Sequence, residues 1–149
     1  MARPDADRVV LDTNVLLAAT DAGRQEHTAA RAALDDWPAQ GVIIYTSGQI
    51  LREYLSVATR AVEGNGLGLS QPDALSNTRA LQSRLRLLPE TAKVHARLLA
   101  LMDEVPCTGK QVHDANIVAT MLVHGINTLS TINVGDFARF DEHIGVSPL

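Results

Sequence analysis

Cysteine is nearly absent from this chain. The single Cys107 excludes an internal disulfide, and no Cys/His cluster offers a structural zinc site. Aromatic residues are only 3% of the sequence, so stacking platforms for bases are not the obvious design. Positive charge is not in excess either. With a net charge of −4, a nucleic-acid partner has to be drawn by local arginine clusters or bound metal, not by a broad basic surface. No hydrophobic run is long enough to span a membrane, and Met1-Ala2-Arg3-Pro4-Asp5 lacks the apolar core of a signal peptide. These absences favour a reducing, cytoplasmic setting. What is there is a chain of 149 residues, 46% hydrophobic, sized for one domain (1–149) with a real core.

The organising stretch is Val9-Val10-Leu11-Asp12-Thr13-Asn14-Val15-Leu16-Leu17. An apolar run followed by an aspartate suits a strand buried on both faces, with Asp12 at its carboxyl end. That edge is where open α/β sheets bind ligands. Asp12 equally suits a helix cap, with Thr13 or Asn14 sharing the work, and this stretch alone leaves both readings open.

Around it the pattern alternates. Strands are predicted at Arg8–Asp12, Val42–Thr46, Leu85–Leu88 and Asn127–Thr131, and a last edge strand at Ile144–Ser147. Helices are predicted at Thr13–Thr20, with Gly23 as its stop, and at Glu26–Trp37, Gly48–Val62, Ser70–Arg84, Thr91–Val105 and Val112–His124. Asp136–Phe140 adds a single turn. Ser47 is the expected cap of the third helix, and Gly125 that of the sixth. The glycine-rich stretch 63–68 lacks the preceding strand and following Lys-Ser/Thr of a phosphate cradle and reads as a flexible connection. Alternating strands and helices imply a central parallel sheet with helices on both faces.

Four acids sit oddly on this frame. Asp12 follows a buried strand, and Glu53 borders the apolar stripe of its helix. Asp114 continues an apolar face with Val118 and Met121, and Asp136 follows the fourth strand. A buried carboxylate is costly unless paired or metal-bound, and Arg52 is the only obvious counter-charge near these positions in sequence. Shared coordination of a divalent cation is the economical account, and hard oxygen ligands suit Mg²⁺ or Mn²⁺. Helix capping explains Asp12, Asp114 or Asp136 singly, but not Glu53 in a helix interior.

Four segments carry a family resemblance: Val10-Leu11-Asp12-Thr13-Asn14-Val15-Leu16, Gln49-Ile50-Leu51-Arg52-Glu53-Tyr54, Val112-His113-Asp114-Ala115-Asn116-Ile117 and Thr131-Ile132-Asn133-Val134-Gly135-Asp136-Phe137. In this order they resemble PIN-domain ribonucleases, most closely the toxin component of VapBC-type toxin–antitoxin pairs. The resemblance implies a three-layer α/β/α sandwich with a parallel sheet and an acidic pocket that binds Mg²⁺ or Mn²⁺ and cleaves RNA. By position it makes Asp12, Glu53 and Asp114 the core acids, with Thr13 and Thr131 supporting them. The fourth acidic position is occupied either by Asn133, where many relatives carry aspartate, or by Asp136 just after it. It also implies a homodimer and a cognate antitoxin whose C-terminal segment occupies the groove near the acids.

Arg24, Arg52, Arg60 and Lys110 are candidates for phosphate contacts, since they flank the acidic segments; ordinary surface charge is the alternative for each. His113 invites a general-base role beside Asp114, against a surface or packing role. Two rival functions remain. One is a PIN-like protein-binding module with little catalysis. The other is a metal-dependent phosphatase, disfavoured because no second aspartate stands two residues after Asp12.

Overall fold

A computed structural model describes residues 3–149. The chain runs β1 (Arg8–Leu11), α1 (Thr13–Thr20), α2 (His27–Asp36), β2 (Ile43–Ser47), α3 (Gly48–Ala58), α4 (Gln71–Arg84), β3 (Arg86–Leu88), α5 (Ala92–Glu104), α6 (Gln111–His124), β4 (Thr128–Thr131), α7 (Val134–Phe137) and β5 (Gly145–Pro148). The five strands form one parallel sheet in the order β3-β2-β1-β4-β5.

That order dictates the layers. From β1 through β2 to β3 the chain steps in one direction across the sheet, so right-handed crossovers put α1–α4 on one face. From β3 it returns past β1 to β4 and on to β5, which puts α5–α7 on the other. The helix contacts agree: α1 packs on α2 and α3, α3 on α4, and α5 on α6. The result is the expected α/β/α sandwich. The reversal creates a switch point between β1 and β4, the place where such sheets open a crevice beyond their strand ends.

Local chemistry explains most boundaries. Val9, Val10 and Leu11 are buried because β1 is central and covered on both faces. Ser47 caps α3 by accepting from Ile50 N (3.3 Å), and Ser70 caps α4 by accepting from Asp73 N (3.2 Å). Gly125 closes α6 in a left-handed conformation (φ 69°) that a side chain would oppose. Tyr54 is fully buried on α3. Its hydroxyl lies 2.9 Å from Thr20 Oγ1 and accepts from Asn77 Nδ2 (3.2 Å), tying α1, α3 and α4 together.

Helix α1 spans Thr13–Thr20 as expected; Asp21 turns extended after it, and its carboxylate accepts from Gly23 N (3.0 Å). Three sequence expectations need correction. Helix α3 ends at Ala58, four residues before Val62, because the chain folds back. Leu67 N and Leu69 N donate to Val57 O (3.2 Å) and Ala58 O (2.9 Å). The glycine-rich stretch is thus a knitted turn, not a loose link. Gly68 N donates to Arg60 O (2.8 Å), and at Gly66 an added Cβ would lie 2.1 Å from that same oxygen, so only glycine fits. Lastly, the turn near Asp136 begins at Val134, with Asp136 inside it and a 3₁₀ turn following at Ala138–Phe140.

Candidate active site

The acids meet at the switch point. Asp12 is the first residue past β1, and Thr131 is the last residue of β4, its neighbour in the sheet. Asp12 is buried, and both its oxygens are held: Oδ1 accepts from Thr13 N (2.8 Å) and Oδ2 from Thr131 Oγ1 (2.9 Å). It therefore caps α1 and faces the crevice at once. Thr131 is itself fixed, since its hydroxyl accepts from Asn14 Nδ2 (3.1 Å) and Asn133 N (3.1 Å).

Glu53 arrives from the first helical layer. Its Oε2 accepts from Thr13 Oγ1 (3.0 Å) and its Oε1 from Gln49 Nε2 (2.9 Å), so the two threonines each anchor one acid. Asp114 comes from the first turn of α6 on the opposite layer and is half-buried; Asp136 is exposed on α7. Asn133 is exposed too and joins the network by its backbone N–H.

The four acids stand near enough to repel one another. The Asp12 carboxyl is pushed above its ordinary range, first by burial, with Glu53 and Asp136 adding to the rise; its bonds to Thr131 and Thr13 oppose it. Asp114 is raised from 3.8 to about 6, first by burial and then by Asp12, Asp136 and Glu53. Arg139 gives the smallest, opposing effect. No ion pair neutralises Asp12, Glu53, Asp114 or Asp136 among the described residues.

An all-oxygen donor set without a basic partner suits a hard divalent cation. Among the described residues no three His, Cys, Asp or Glu side chains stand close enough to hold an ion by themselves. Mg²⁺ usually takes one or two protein carboxylates and keeps several waters, so it does not need three.

Beside the acids lies a groove of about 520 Å³. Glu53 and Asp114 line it together with Arg52, Arg60, Lys110 and the exposed His113. Three of the four predicted phosphate contacts therefore gather here. Arg24 does not: it pairs with Asp21 (3.3 Å) and donates to Asn65 O (3.2 Å), strapping the glycine-rich turn to the end of α1. Arg52 lines the groove with Glu53, its guanidinium 3.9 Å from Glu90.

Gln49, Asn116 and Asn14 carry much of the site; the sequence singled out only Asn14, and that as a helix cap. Gln49 precedes Glu53 by one helical turn, while Asn14 and Asn116 each stand two residues after a core acid. Those spacings were the available signal.

The sequence matches the PIN domain family over residues 9–142, and the chain belongs to that family. No curated protein is significantly similar to it in sequence. Solved structures are. The VapBC2 complex of Rickettsia felis, bound to a DNA fragment from its promoter, matches with a TM-score of 0.69 at 17% identity, over 95% of this chain and 98% of that one. VapC20 of Mycobacterium tuberculosis, a toxin that cleaves the sarcin–ricin loop, matches with a TM-score of 0.61 at 20% identity, over 91% and 95%. A toxin–antitoxin complex from Klebsiella pneumoniae matches with a TM-score of 0.59 at 28% identity, over 87% and 90%. No helix among the described residues is long and apolar enough to cross a membrane.

Proposed function

We propose that this protein is a divalent-metal-dependent endoribonuclease acting as the toxin of a type II toxin–antitoxin pair. The observation that carries the reading is the convergence of Asp12, Glu53, Asp114 and Asp136, drawn from both helical layers onto one crevice without a neutralising base, beside a groove lined by Arg52, Arg60 and Lys110. An acidic floor next to a basic wall suits a cation and a phosphodiester held side by side. The family and the toxin structures that share the fold support the same reading.

Asp12, Glu53 and Asp114 are the residues from which one or two carboxylates would hold Mg²⁺ or Mn²⁺, with waters completing its shell and Asp136 at the outer edge. When bound, such a cation acidifies water and offsets the charge that builds on the phosphate. The chain's own residues do the rest. Thr13 and Thr131 fix the rotamers of Glu53 and Asp12 through 3.0 and 2.9 Å bonds, so the oxygens are aimed before substrate arrives. Arg52, Arg60 and Lys110 hold RNA phosphates and set the register of the strand against the acids. His113 stands on the same wall, where it contacts substrate without needing to act as the base.

A cognate antitoxin seated in the groove and a homodimeric toxin complete the proposal. The test is cleavage of a panel of structured and single-stranded RNAs with Mg²⁺ or Mn²⁺, comparing the protein with Asp12→Asn. Metal-dependent cleavage that the substitution abolishes while the fold survives is the expected result. A folded, metal-loaded protein that cleaves nothing in the panel would leave the protein-binding module as the better reading.

A further inference from the structure

The Gln49 side chain makes three hydrogen bonds at the site, and it is 5% exposed. One N–H of its amide donates to Glu53 Oε1 (2.9 Å), and the other donates to His113 O (2.8 Å), the carbonyl just before Asp114. Its own carbonyl accepts from Asn116 Nδ2 (2.6 Å). Asn116 thereby fixes which way the amide faces, and both N–H groups are left for Glu53 and His113. Its backbone N–H is also held, donating to Glu90 Oε1 (2.8 Å).

The consequence is geometric. Glu53 sits on α3 in one helical layer and Asp114 on α6 in the other, and the ends of these helices meet through Gln49. A side chain with two donors and one acceptor in this arrangement ties a carboxylate oxygen of the first acid to the backbone that carries the second. A carboxylate or hydroxyl at position 49 has too few donors, and an aliphatic chain has none.

We propose that Gln49 is a positioning residue that sets the placement of Glu53 relative to Asp114 and so the affinity of the site for its divalent cation. The proposal rests on the metal-dependent reading of the acids. Groups that orient metal-binding carboxylates typically change metal affinity or activity by about 10–100-fold when removed.

The experiment measures Mn²⁺ affinity by calorimetry, together with thermal stability and RNA cleavage, in the parent protein, Gln49→Met, Glu53→Gln and the double variant. Methionine keeps the length and packing and removes all three side-chain hydrogen bonds. Gln49→Met should bind Mn²⁺ about 10–100-fold more weakly. The double variant should be no weaker than Glu53→Gln alone, because Gln49 acts through Glu53. Parental Mn²⁺ affinity in Gln49→Met, or losses that multiply in the double variant, would overturn the proposal and leave Gln49 as packing between two helices. Should Gln49→Met fail to fold, Asn116→Ala serves instead. It frees the Gln49 amide to turn and should weaken Mn²⁺ binding in the same direction; unchanged affinity there overturns the proposal equally. A parent protein that neither binds Mn²⁺ nor cleaves RNA brings down the ribonuclease reading and this inference with it. A parent that does both beside an unaffected Gln49→Met brings down the inference alone.

Discussion

Replacing Asp114 by asparagine should stabilise the metal-free protein, although it removes a proposed metal ligand. Asp114 is raised from 3.8 to about 6 by burial and by three neighbouring acids, so its charged form is disfavoured in the fold. Below 3.8 both folded and unfolded chains hold the proton and nothing is lost. As pH rises through about 6 the unfolded chain has released its proton while the fold gives it up late, so stability falls across that window. The rise corresponds to at most ~3 kcal/mol at neutral pH, and solvent screening of a half-buried group reduces this to about 1 kcal/mol. For a chain of this size that is about 2–4 °C in Tm. Melting in EDTA should therefore show Asp114→Asn above the parent at pH 7.5, with the gap closing as pH falls toward 4. Added Mg²⁺ should reverse the order. A ligand at a hundred times its Kd contributes about 2.7 kcal/mol to the parent, and the variant gains far less. An Asp114→Asn protein less stable than the parent in EDTA at pH 7.5, or a gap that ignores pH, would refute the claim that the acids repel one another across one crevice.

Thr131→Val should destabilise the protein by about 1–3 kcal/mol, because it strips a donor from Asp12 and an acceptor from the Asn133 N–H in a buried setting. Urea unfolding checks this, and a loss below about 0.5 kcal/mol would mean that water takes over the hydroxyl's bonds. Arg60→Gln should flatten the dependence of RNA affinity on salt, lowering the log–log slope by about 0.7–0.9 for the one phosphate contact removed. An unchanged slope would take Arg60 off the path of the RNA backbone.

The architecture was legible in the sequence because its signals are local. β1 reads as a buried strand from Val9-Val10-Leu11 alone, and the caps at Ser47 and Gly125 announce their helices. The candidate acids Asp12, Glu53 and Asp114 stood out for another reason: each is a charge placed at a strand end or where its local pattern calls for an apolar residue. The turn at 59–69 was not legible. Its geometry comes from backbone bonds between Val57, Ala58, Arg60 and residues up to eleven later, which no side-chain pattern encodes. Nor was the role of Gln49, since a glutamine one turn before a glutamate looks like any exposed helical pair. It becomes distinctive only when α6 brings His113 O and Asn116 against it.

The choice of supporting groups has its own logic. Among the described residues, every group bonded to the Asp12 or Glu53 carboxylate is neutral: the Thr13 N–H and hydroxyl, the Thr131 hydroxyl and the Gln49 amide. An arginine at position 49 or 116 would satisfy the carboxylates more strongly, and the metal-free protein would be more stable for it. It would also cancel the negative potential and put a fixed cation where a mobile one is proposed to bind. Hydroxyls and amides aim the oxygens and leave their charge intact. The bases Arg52, Arg60 and Lys110 line the groove beside Glu53 and Asp114 without pairing with them, and are left for the proposed substrate. Folding thus leaves repulsion among Asp12, Glu53, Asp114 and Asp136 unrelieved, and the proposed divalent cation would gain affinity by relieving it. On this account, a variant that supplies a base inside the crevice should be both more stable and less active, and the two effects should share one cause.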